Sequence, residues 1–366
     1  MASVSLAVAA TPATTATVGK AVPVFVAGQG GYAMYRIPAI VRTPDGTLLA
    51  FAEGRPSIAD YGHNQIVLKR SSDGGKTWSK ARVAASFGKF QASNAAPVVD
   101  TLDPRFPKGR VFLFYDTGNA SEAQLRQGHG QRKVWYRTSI DDGRRWSVPV
   151  DITAAVKKPD WRTYANTPGH AMQFKHGKYK GRIFVAANHS KGPPQPYLRD
   201  YHAHGFFTDD HGRTFALGAT LPLASSNEST AAELAGDRLM MNSRNQAGHH
   251  RIVAISDDGG AHWADIYIDP QLPDPISEGS LLNVGYRDGK AVLAFCNNDD
   301  TQKRTHLVVH LSFDGGTHWT RKIHVSPPGA QTGYCDIVAM GKQRIGVLYE
   351  RDGYKQIAFK VIHFTP

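Results

Sequence analysis

Short runs of apolar and β-branched residues, separated by turn residues, recur along almost the whole chain. Examples are Val111–Tyr115, Arg182–Ala186 and Ala291–Phe295. Such runs, bounded by Gly, Pro, Asn or Asp, are typical of β-strands joined by tight turns. About two dozen can be counted, with no long amphipathic helix between them; only the stretches near Ile152–Val156 and Trp161 are expected to form helical turns. The pattern predicts an all-β protein.

An eight-residue motif recurs five times among these runs. The copies begin at residues 71, 139, 208, 256 and 312, and each has a hydroxyl residue, an Asp, a Gly and an aromatic residue at offsets 0, 2, 4 and 7. In the first copy these are Ser71, Asp73, Gly75 and Trp78. In a hairpin turn the first two side chains bond local backbone N–H groups, Gly supplies a positive φ, and the aromatic residue anchors the returning strand. We therefore expect the five Asp residues to be structural rather than catalytic.

The spacing of the motif predicts a propeller. Successive copies lie 68, 69, 48 and 56 residues apart, and units of this size with several strands each are typical of closed β arrays. The final unit, 334–364, lacks the motif. We expect it to form a sixth blade closed by the strand at Val22–Val26, because chain ends must pair to remove exposed edges. The expected organisation is a leader or disordered segment over residues 1–20, followed by one six-bladed β-propeller over residues 21–366.

Charge and histidine content limit the choice of partner. The formal net charge of +12 at pH 7 favours an anionic partner, either a nucleic acid or an acidic small molecule or glycan. No basic run, zinc-finger spacing or RNA-binding signature is present, so nucleic acid is not expected. The 16 His residues show no metal-ligand spacing, and no metal is expected.

The two cysteines and the apolar content exclude other classes. Cys296 and Cys335 are the only cysteines, so a disulfide framework is excluded, and the pair forms either two free buried thiols or one bridge. No apolar run is long enough for a transmembrane helix. The stretch Leu6–Ala10 is either the tail of a trimmed signal peptide or part of a disordered leader.

Several polar residues occur where the strands of a propeller should carry apolar ones. They are Arg36, Arg55, Asp60, Glu228, Arg244, Arg304, Tyr334 and Glu350. The sequence Tyr-Arg-Ile-Pro around Arg36, followed by Glu-Gly-Arg and then Asp, together with the repeated motif, resembles the sialidase (neuraminidase) family of exo-acting glycoside hydrolases, of the bacterial and animal type. The resemblance runs from about Arg36 to Tyr349, nearly the whole chain. The repeated motif alone also occurs in unrelated binding propellers.

The resemblance implies an arginine triad. Arg36, Arg244 and Arg304 match the three arginines that hold the carboxylate of the sugar, and Lys303 and His306 lie close to Arg304 as alternatives. Planar guanidinium groups suit a carboxylate and stay protonated at any relevant pH. Arg55 matches the arginine near the carboxylate and the N-acyl side. Glu350 and the following Arg351 resemble the site where an acidic residue orients the first arginine of the triad, which assigns that role to Glu350.

The resemblance also implies three catalytic residues. Tyr334 matches the nucleophile, Glu228 the base that activates it, and Asp60 the acid/base that protonates the leaving oxygen. A neutral phenol avoids repulsion by the carboxylate on the reacting carbon, but it stays inert until a base removes its proton. A mobile loop with a buried carboxyl would suit the role of Asp60. Glu233, in the same hairpin as Glu228, is expected to support the site or pair with an arginine.

Contacts with the rest of the substrate are predicted less directly. Candidates for the glycerol side chain or the aglycone are Trp161, Gln173, His189, Tyr201 and Tyr115. His170 and His189 are expected to form hydrogen bonds or to be structural rather than to bind a metal.

The resemblance thus implies an exo-α-sialidase that releases terminal α-linked sialic acid with retention, without a metal or organic cofactor. Its expected partners are sialylated glycans, without nucleic acid or a membrane span, and the chain is expected to be monomeric and secreted or periplasmic. One alternative is transfer to another sugar or formation of an anhydro product. A second is a non-catalytic sialoglycan-binding propeller, which the complete Asp, Glu and Tyr set argues against. A third is a structural interaction propeller, which would not explain three matching arginines.

Overall fold

Six antiparallel sheets make up the fold in the computed structural model, which describes residues 16–341 and 343–365. Each sheet is a meander of consecutive strands, apart from the last one, which also takes the first two strands of the chain. The first strands of neighbouring blades pack against one another around a central axis. The prediction of a six-bladed β-propeller is therefore confirmed.

The strands are assigned to blades as follows. The N-terminal strands are β1 (Ala16–Val18) and β2 (Val22–Val26). Blade 1 contains β3 (Met34–Arg42), β4 (Leu48–Arg55), β5 (Gln65–Ser71) and β6 (Arg82–Ala85), and blade 2 contains β7 (Gln91–Asp100), β8 (Arg110–Gly118), β9 (Arg132–Ser139) and β10 (Val150–Asp151). Blade 3 contains β11 (Trp161–Asn166), β12 (Met172–Gln173), β13 (Ile183–Lys191), β14 (Tyr201–Thr208) and β15 (Ala216–Leu217). Blade 4 contains β16 (Ser226–Glu233), β17 (Leu239–Asn245), β18 (His250–Ser256) and β19 (Asp265–Pro273), and blade 5 contains β20 (Ser280–Arg287), β21 (Lys290–Asn298), β22 (Leu307–Ser312) and β23 (Arg321–His324). Blade 6 contains β24 (Thr332–Ala339), β25 (Arg344–Arg351) and β26 (Gln356–Phe364), together with β1 and β2.

The N-terminal strands close the ring. Both β2 and β1 pair with β26, with Val22 opposite Phe359 and Ala16 opposite Phe364. This is the closure expected from the need to cover the edge of the last blade. The expected leader covered residues 1–20. Residues 1–15 lie outside the described residues, whereas residues 16–18 form strand β1 rather than part of a leader.

The repeated motif forms the turn between the last two strands of each of blades 1 to 5. In the first copy Asp73 Oδ1 accepts hydrogen bonds from the Ser71 hydroxyl at 2.7 Å and from the backbone N–H of Lys76 at 3.0 Å. Gly75 has a φ of 89°, and a Cβ there would overlap the ring of Phe359 in blade 6. The motif therefore shapes each turn and also lets it pack closely against the preceding blade.

The helical content differs from the expectation in three places. A short helix, α1 (Glu122–Arg126), follows β8, and its N-terminus is capped by reciprocal hydrogen bonds between Ser121 and Gln124. The Ser-x-x-Gln spacing is the signal that could have predicted it. The helical turn expected near 152–156 is present as α2 (Thr153–Val156), but Trp161 begins a strand. A 3₁₀ turn spans Pro196–Leu198.

Apolar side chains between adjacent blades form the core. Cys296 and Cys335 lie in this core as free, fully buried thiols, and the Cys335 thiol donates to the carbonyl oxygen of Cys296 at 3.2 Å. Of the two sequence-based alternatives, the free-thiol one is observed. No helix in the described part of the chain is long and apolar enough to cross a bilayer.

Candidate active site

A cavity of about 660 Å³ opens at the end of the axis where the first strands of the blades begin. All eight residues selected for chemistry in the sequence are close to it. Seven of them line the cavity, and Glu350 lies directly beneath as a fully buried carboxylate. The structure thus brings together residues that are up to 314 positions apart in the chain.

Bulges in the first strands aim side chains into this cavity. At a bulge two residues of one strand oppose a single residue of its neighbour, which disrupts the hydrogen-bond ladder and redirects side chains. In blade 4, Asn227 and Glu228 oppose Arg244, and in blade 6, Gly333 and Tyr334 oppose Glu350. The same local geometry therefore places Glu228 beside Arg244 and Tyr334 beside Glu350, in each case a charged residue of the next strand.

Tyr334 and Glu228 are in direct contact. The Tyr334 hydroxyl lies 2.6 and 2.7 Å from the two carboxylate oxygens of Glu228 and donates its proton there. Arg244 Nη1 donates to Tyr334 Oη at 2.9 Å and to Glu228 Oε2 at 2.7 Å. Burial and the negative charge of Glu228 raise the pKa of Tyr334, whereas Arg244 opposes this effect. The phenol is therefore neutral at ordinary pH, with an acceptor already in place for its proton.

Glu350 joins the nucleophile candidate to the first arginine. Its Oε1 accepts from Arg36 Nε at 2.7 Å and from the backbone N–H of Ile37 at 2.9 Å. Its Oε2 accepts from Arg36 Nη2 at 3.2 Å and from the backbone N–H of Tyr334 at 2.9 Å. Burial lowers the pKa of Arg36, but the charge and the hydrogen bond of Glu350, together with Tyr334 and Tyr354, raise it overall. One buried carboxylate thus fixes Arg36 and the backbone of Tyr334 together.

Gly333 makes room for this arrangement. A Cβ at this position would overlap Glu350 Oε2 and lie 2.7 Å from the ring of Tyr354. Tyr354 in turn lies beneath the guanidinium of Arg36, 4.1 Å from ring centroid to Cζ. The glycine is therefore required by packing rather than by a left-handed backbone.

Arg304 completes the group of three arginines. Its Nη2 donates to the backbone oxygen of Ile276 at 2.9 Å, and its guanidinium lies 5.4 Å from the centroid of the Tyr334 ring. Arg36 lies 5.4 Å from the same ring. The Nε of Arg244 is buried and has no hydrogen-bond partner among the described residues. These positive charges surround Tyr334 and leave donors free for an anion.

Asp60 lies at the rim of the cavity, held by Arg55. Arg55 Nη1 donates to Asp60 Oδ1 at 2.8 Å, and Arg55 Nη2 donates to Glu53 Oε2 at 2.6 Å. The side chain of Asp60 is 84% exposed, so the expected burial of this carboxyl is wrong. The loop leaves strand β4 toward solvent after Arg55, and the carboxyl follows it. Glu53 also accepts from the backbone N–H of Asn94 at 2.9 Å, which links blades 1 and 2.

The wall of the cavity farther from Tyr334 comes from blades 2 and 3. Tyr201 lines it, as predicted, and its hydroxyl donates to Glu122 at the start of α1. Arg132 and Asn188 also line this wall. Burial raises the pKa of Tyr201 well above its usual value, so this phenol is neutral too.

The other substrate-contact candidates do not line the cavity. Trp161 is buried against His189 with its rings stacked at 3.5 Å, and Tyr115 lies in the core between blades 1 and 2. Gln173 lies at the opposite mouth of the axial channel. Glu233 also lies there and accepts from the backbone N–H groups of 175 and 176 at 2.9 Å, so the expected role near Glu228 is wrong. Side chains alternate along strand β16, and Glu233 is five residues beyond Glu228. Its side chain therefore lies at the opposite mouth of the axial channel.

Several residues in or beside the candidate site were not singled out in the sequence. Glu53, within the Glu-Gly-Arg motif, carries a direct signal because it is a carboxylate two residues before Arg55 on the same strand. Asn94, Arg132 and Tyr354 carry none, because isolated polar or aromatic residues in strands and loops are common.

One group of possible metal ligands lies elsewhere. Oxygen and nitrogen atoms of Asp100, Asp103 and His211 lie within 4.8 Å of one another. Arg105 and Arg110 already donate to Asp103 at 2.7 and 3.0 Å. This is a salt-bridge cluster outside the candidate active site.

Comparison with known proteins agrees with the geometry. Residues 46–347 match the model of the BNR repeat-like domain. A sialidase of Micromonospora viridifaciens is 31% identical over 349 residues, which cover 89% of this chain and 51% of that protein. The chain belongs to the sialidase family. A sialidase of Bacteroides fragilis strain YCH46 is 29% identical over 351 residues, covering 88% of this chain and 61% of that protein.

The solved structures show the same fold. The Hadza microbial sialidase Hz136 superimposes with a TM-score of 0.82 at 26% identity, covering 93% of this chain and 68% of that one. The chain thus spans between about half and two thirds of the length of these sialidases.

Proposed function

We propose that this protein is an exo-α-sialidase that hydrolyses terminal α-linked sialic acids with retention, through a covalent intermediate on Tyr334. The observation that carries the proposal is the contact of Tyr334 Oη with both oxygens of Glu228, at 2.6 and 2.7 Å, between arginines that leave donors free. The relatives named above are sialidases, which supports the reaction class.

Substrate binding follows from the three arginines. The sugar carboxylate is held by Arg36, Arg244 and Arg304, with charge-assisted hydrogen bonds that contribute roughly 1.5–3 kcal/mol each. Carboxylate and glycosidic oxygen are both bonded to C2, so this placement brings C2 to Tyr334. The positive charges also favour the tyrosyl oxygen as its proton leaves.

The first chemical step forms the covalent intermediate. Tyr334 Oη bonds to C2 while its proton passes to Glu228, and the bond from C2 to the glycosidic oxygen breaks. The leaving oxygen takes a proton from Asp60. Burial and Glu228 raise the pKa of Tyr334, so the proton must be removed as the bond forms rather than beforehand.

The second step releases the sugar. Asp60 accepts a proton from water, whose oxygen bonds to C2 as the bond to Tyr334 breaks, and Glu228 returns its proton to Tyr334. The position of Asp60 at the solvent-exposed rim suits contact with both the leaving group and water. Two displacements at C2 preserve its configuration.

Proton NMR of product formation from a sialyllactose tests the proposal. We expect the α-anomer of free sialic acid to appear first, and Tyr334→Phe and Asp60→Ala each to lower turnover by at least about 100-fold. The controls are Tyr349→Phe, a buried tyrosine in the core, and Asp257→Ala, an exposed loop carboxylate. Both should leave turnover nearly unchanged.

Each other outcome identifies a different activity. Early release of the β-anomer would contradict a tyrosyl intermediate. An anhydro or transferred product would keep the site and change the reaction to a trans-sialidase type. Binding of sialyllactose without any turnover would leave a propeller that only recognises sialic acid.

The proposal extends to location and oligomeric state. Glycoconjugate substrates lie outside the cytoplasm, and we propose that the protein is secreted or periplasmic and monomeric. Cell fractionation with immunodetection tests the first statement, and sedimentation tests the second. Protein confined to the cytoplasmic fraction, or a stable dimer, would contradict them.

A further inference from the structure

A fifth arginine in the cavity has no role in the chemistry proposed above. Arg132 begins strand β9 in blade 2, lines the cavity and is only 9% exposed. In the described structure its side chain forms a single hydrogen bond, from Nη1 to the Ser93 hydroxyl, at 3.3 Å. A guanidinium carries five N–H donors, so a nearly buried charge faces the cavity with most of its donors unused.

The other cavity arginines show how unusual this is. Arg36, Arg55 and Arg244 each form a short ion pair with a glutamate or aspartate. Arg304 and Arg132 form none with the described carboxylates. In the proposed function the carboxylate of the sugar explains Arg304, whereas Arg132, in blade 2, is not one of the three arginines assigned to it. Burying a charge is costly unless it is paired, which points to an acceptor on the ligand.

The surroundings of Arg132 are built to hold it there. Gly118 opposes Arg132 across strands β8 and β9, and a Cβ on Gly118 would lie 2.9 Å from Nη1 and 3.0 Å from Cδ. The glycine therefore opens the space that the guanidinium occupies. Behind it, Asp116 Oδ1 is buried without a hydrogen-bond partner among the described residues. Burial raises the pKa of Asp116 to about 7, and Arg132 works against this rise.

The neighbouring wall is polar as well. Tyr164 and Asn188 line the same side of the cavity, and Tyr164 Oη and Asn188 Nδ2 are buried without hydrogen-bond partners in the part of the chain that the structure describes. Such groups are normally satisfied by a ligand or an ordered water. A methyl group placed here would leave them unsatisfied, whereas an oxygen would not.

The chemistry of the sugar identifies the group that faces this wall. In the six-membered ring of a sialic acid, C5 lies directly opposite C2. When C2 is at Tyr334, in blade 6, the substituent on C5 therefore points away from it, toward blades 2 and 3. In N-acetyl forms this substituent is an amide whose outermost group is a methyl. In other nonulosonic acids the outermost group is a hydroxyl, either on C5 itself or at the end of the N-acyl group.

We propose that Arg132 selects nonulosonic acids whose C5 substituent bears a hydroxyl group, either directly on C5 or on an N-glycolyl group, over the N-acetyl form. The inference rests on the proposed function for the orientation of the sugar. A site that hydrogen-bonds a hydroxyl discriminates against an analogue without it because the polar groups of the site are then left unpaired.

Three 4-methylumbelliferyl α-glycosides that differ only at C5 provide the test, with N-acetylamino, N-glycolylamino and hydroxyl substituents. We expect kcat/KM of the wild type to be at least about tenfold higher for a hydroxyl-bearing substrate than for the N-acetyl one. Arg132→Met should lower kcat/KM for that substrate by about 10- to 100-fold and change it for the N-acetyl substrate by less than about threefold. The two hydroxyl-bearing substrates show whether the hydroxyl lies on C5 or on the N-acyl group.

Two further variants separate selection from a structural role. Gly118→Ala keeps the charge but displaces the guanidinium, and it should lower the same preference. Arg137→Met removes a charge from the same strand outside the cavity, where Arg137 Nη1 donates to the backbone oxygen of Ala84, and should leave the preference unchanged. Equal changes for all three substrates, or a wild type that prefers the N-acetyl substrate, would overturn the proposal.

Failure of the proposed function would be seen separately. If none of the three glycosides is cleaved, binding of the three free sugars by saturation-transfer NMR replaces turnover. A hydroxyl-dependent signal that Arg132→Met abolishes would support the subsite in a non-catalytic protein. Equal signals for wild type and variant would overturn it.

Discussion

The two mouths of the axial channel are built from the same inner strands and yet differ in almost every chemical respect. Strand β3 carries Arg36 near its start, at the candidate active site, and ends among apolar residues at the other mouth. Strand β24 likewise carries Tyr334 near its start and ends at Ala339. The opposite cavity, about 460 Å³, is lined mainly by aliphatic side chains such as Ile40, Val98 and Ile337. The position of a residue along its strand, rather than the strand to which it belongs, therefore decides whether it lies at the polar or the apolar mouth.

Bulges account for the difference. Five inner strands are bulged near the candidate active site, between Arg36 and Ala39 in blade 1 and at corresponding positions of blades 2, 3, 4 and 6. There the ladder is interrupted, and carboxylates accept from the freed backbone: Glu350 from Tyr334, and Glu53 from Asn94. In the remaining halves of these strands the ladder is regular. The acidic residues of the site thus support the fold and bind the arginines at the same time.

Replacing Glu350 should show the largest difference between the mouths. Glu350→Gln leaves the buried Arg36 without its negative partner and one oxygen for four donors. Breaking a buried ion pair costs about 3–5 kcal/mol, and we expect kcat/KM to fall at least about 100-fold. Glu233→Gln is the matched control, because Glu233 also accepts two backbone N–H groups, but at the opposite mouth. Steady-state kinetics that are unchanged in Glu350→Gln would sink this interpretation.

Filling the space beside Glu350 should have the next largest effect. In Gly333→Ala the new methyl group overlaps Glu350 Oε2 and the ring of Tyr354, so both must move. Overpacking of this kind costs about 1–3 kcal/mol, and kcat should fall about tenfold or more. Gly346→Ala, where the Cβ lies 2.6 Å from the Phe359 ring in the core, should lower thermal stability but leave kcat nearly unchanged. Equal kcat in the two variants would contradict the assignment.

A cavity made at the apolar mouth should affect stability alone. Ile337 is fully buried, and Ile337→Ala should lower the free energy of unfolding by about 2–4 kcal/mol. We expect kcat/KM of the folded protein to stay within about twofold of wild type, since Ile337 is three residues beyond the catalytic candidate on a regular part of the strand. Urea unfolding and kinetics under stabilising conditions measure the two quantities. A large loss of activity in fully folded protein would show that the mouths are coupled.

The smallest expected effect is a change in the pH dependence of stability. Burial raises the pKa of Asp116 to about 7, against about 3.9 for an unfolded chain. Between these values the native state binds more protons than the unfolded state, so this group's contribution to stability is lost as the pH rises toward 7. Asp116→Asn does not show this loss. Its free energy of unfolding relative to wild type should therefore rise with pH, by at most about 1.4 kcal/mol per pH unit.

Chemical unfolding at pH 5, 6 and 7 measures this difference. The stability of Asp116→Asn relative to wild type should increase with pH over the series. A difference that is constant with pH would mean that Asp116 is already ionised in the native protein at pH 5.

Most of the architecture could be predicted from the sequence because its causes are local. Short runs of apolar and β-branched residues predict the strands, and the repeated Ser/Thr–Asp–Gly–aromatic motif predicts five turns whose hydrogen bonds lie within a few residues. The Tyr-Arg-Ile-Pro motif around Arg36 identified the family. The eight polar residues could be selected for the same reason, because each carries its signal in its own short segment.

What only the tertiary structure decided depends on register and on contacts between distant strands. The bulge that opposes Glu228 to Arg244, the hydrogen bond from the backbone of Tyr334 to Glu350, and the exposure of Asp60 leave no local trace. Gln173 ends a strand and Arg132 begins one, yet Gln173 lies at the opposite mouth and Arg132 faces the candidate active site. The sequence by itself determined which residue types the chain offers. Ring closure and strand register determined which of these residues share a cavity, because closure and register are set by the packing of all six blades together.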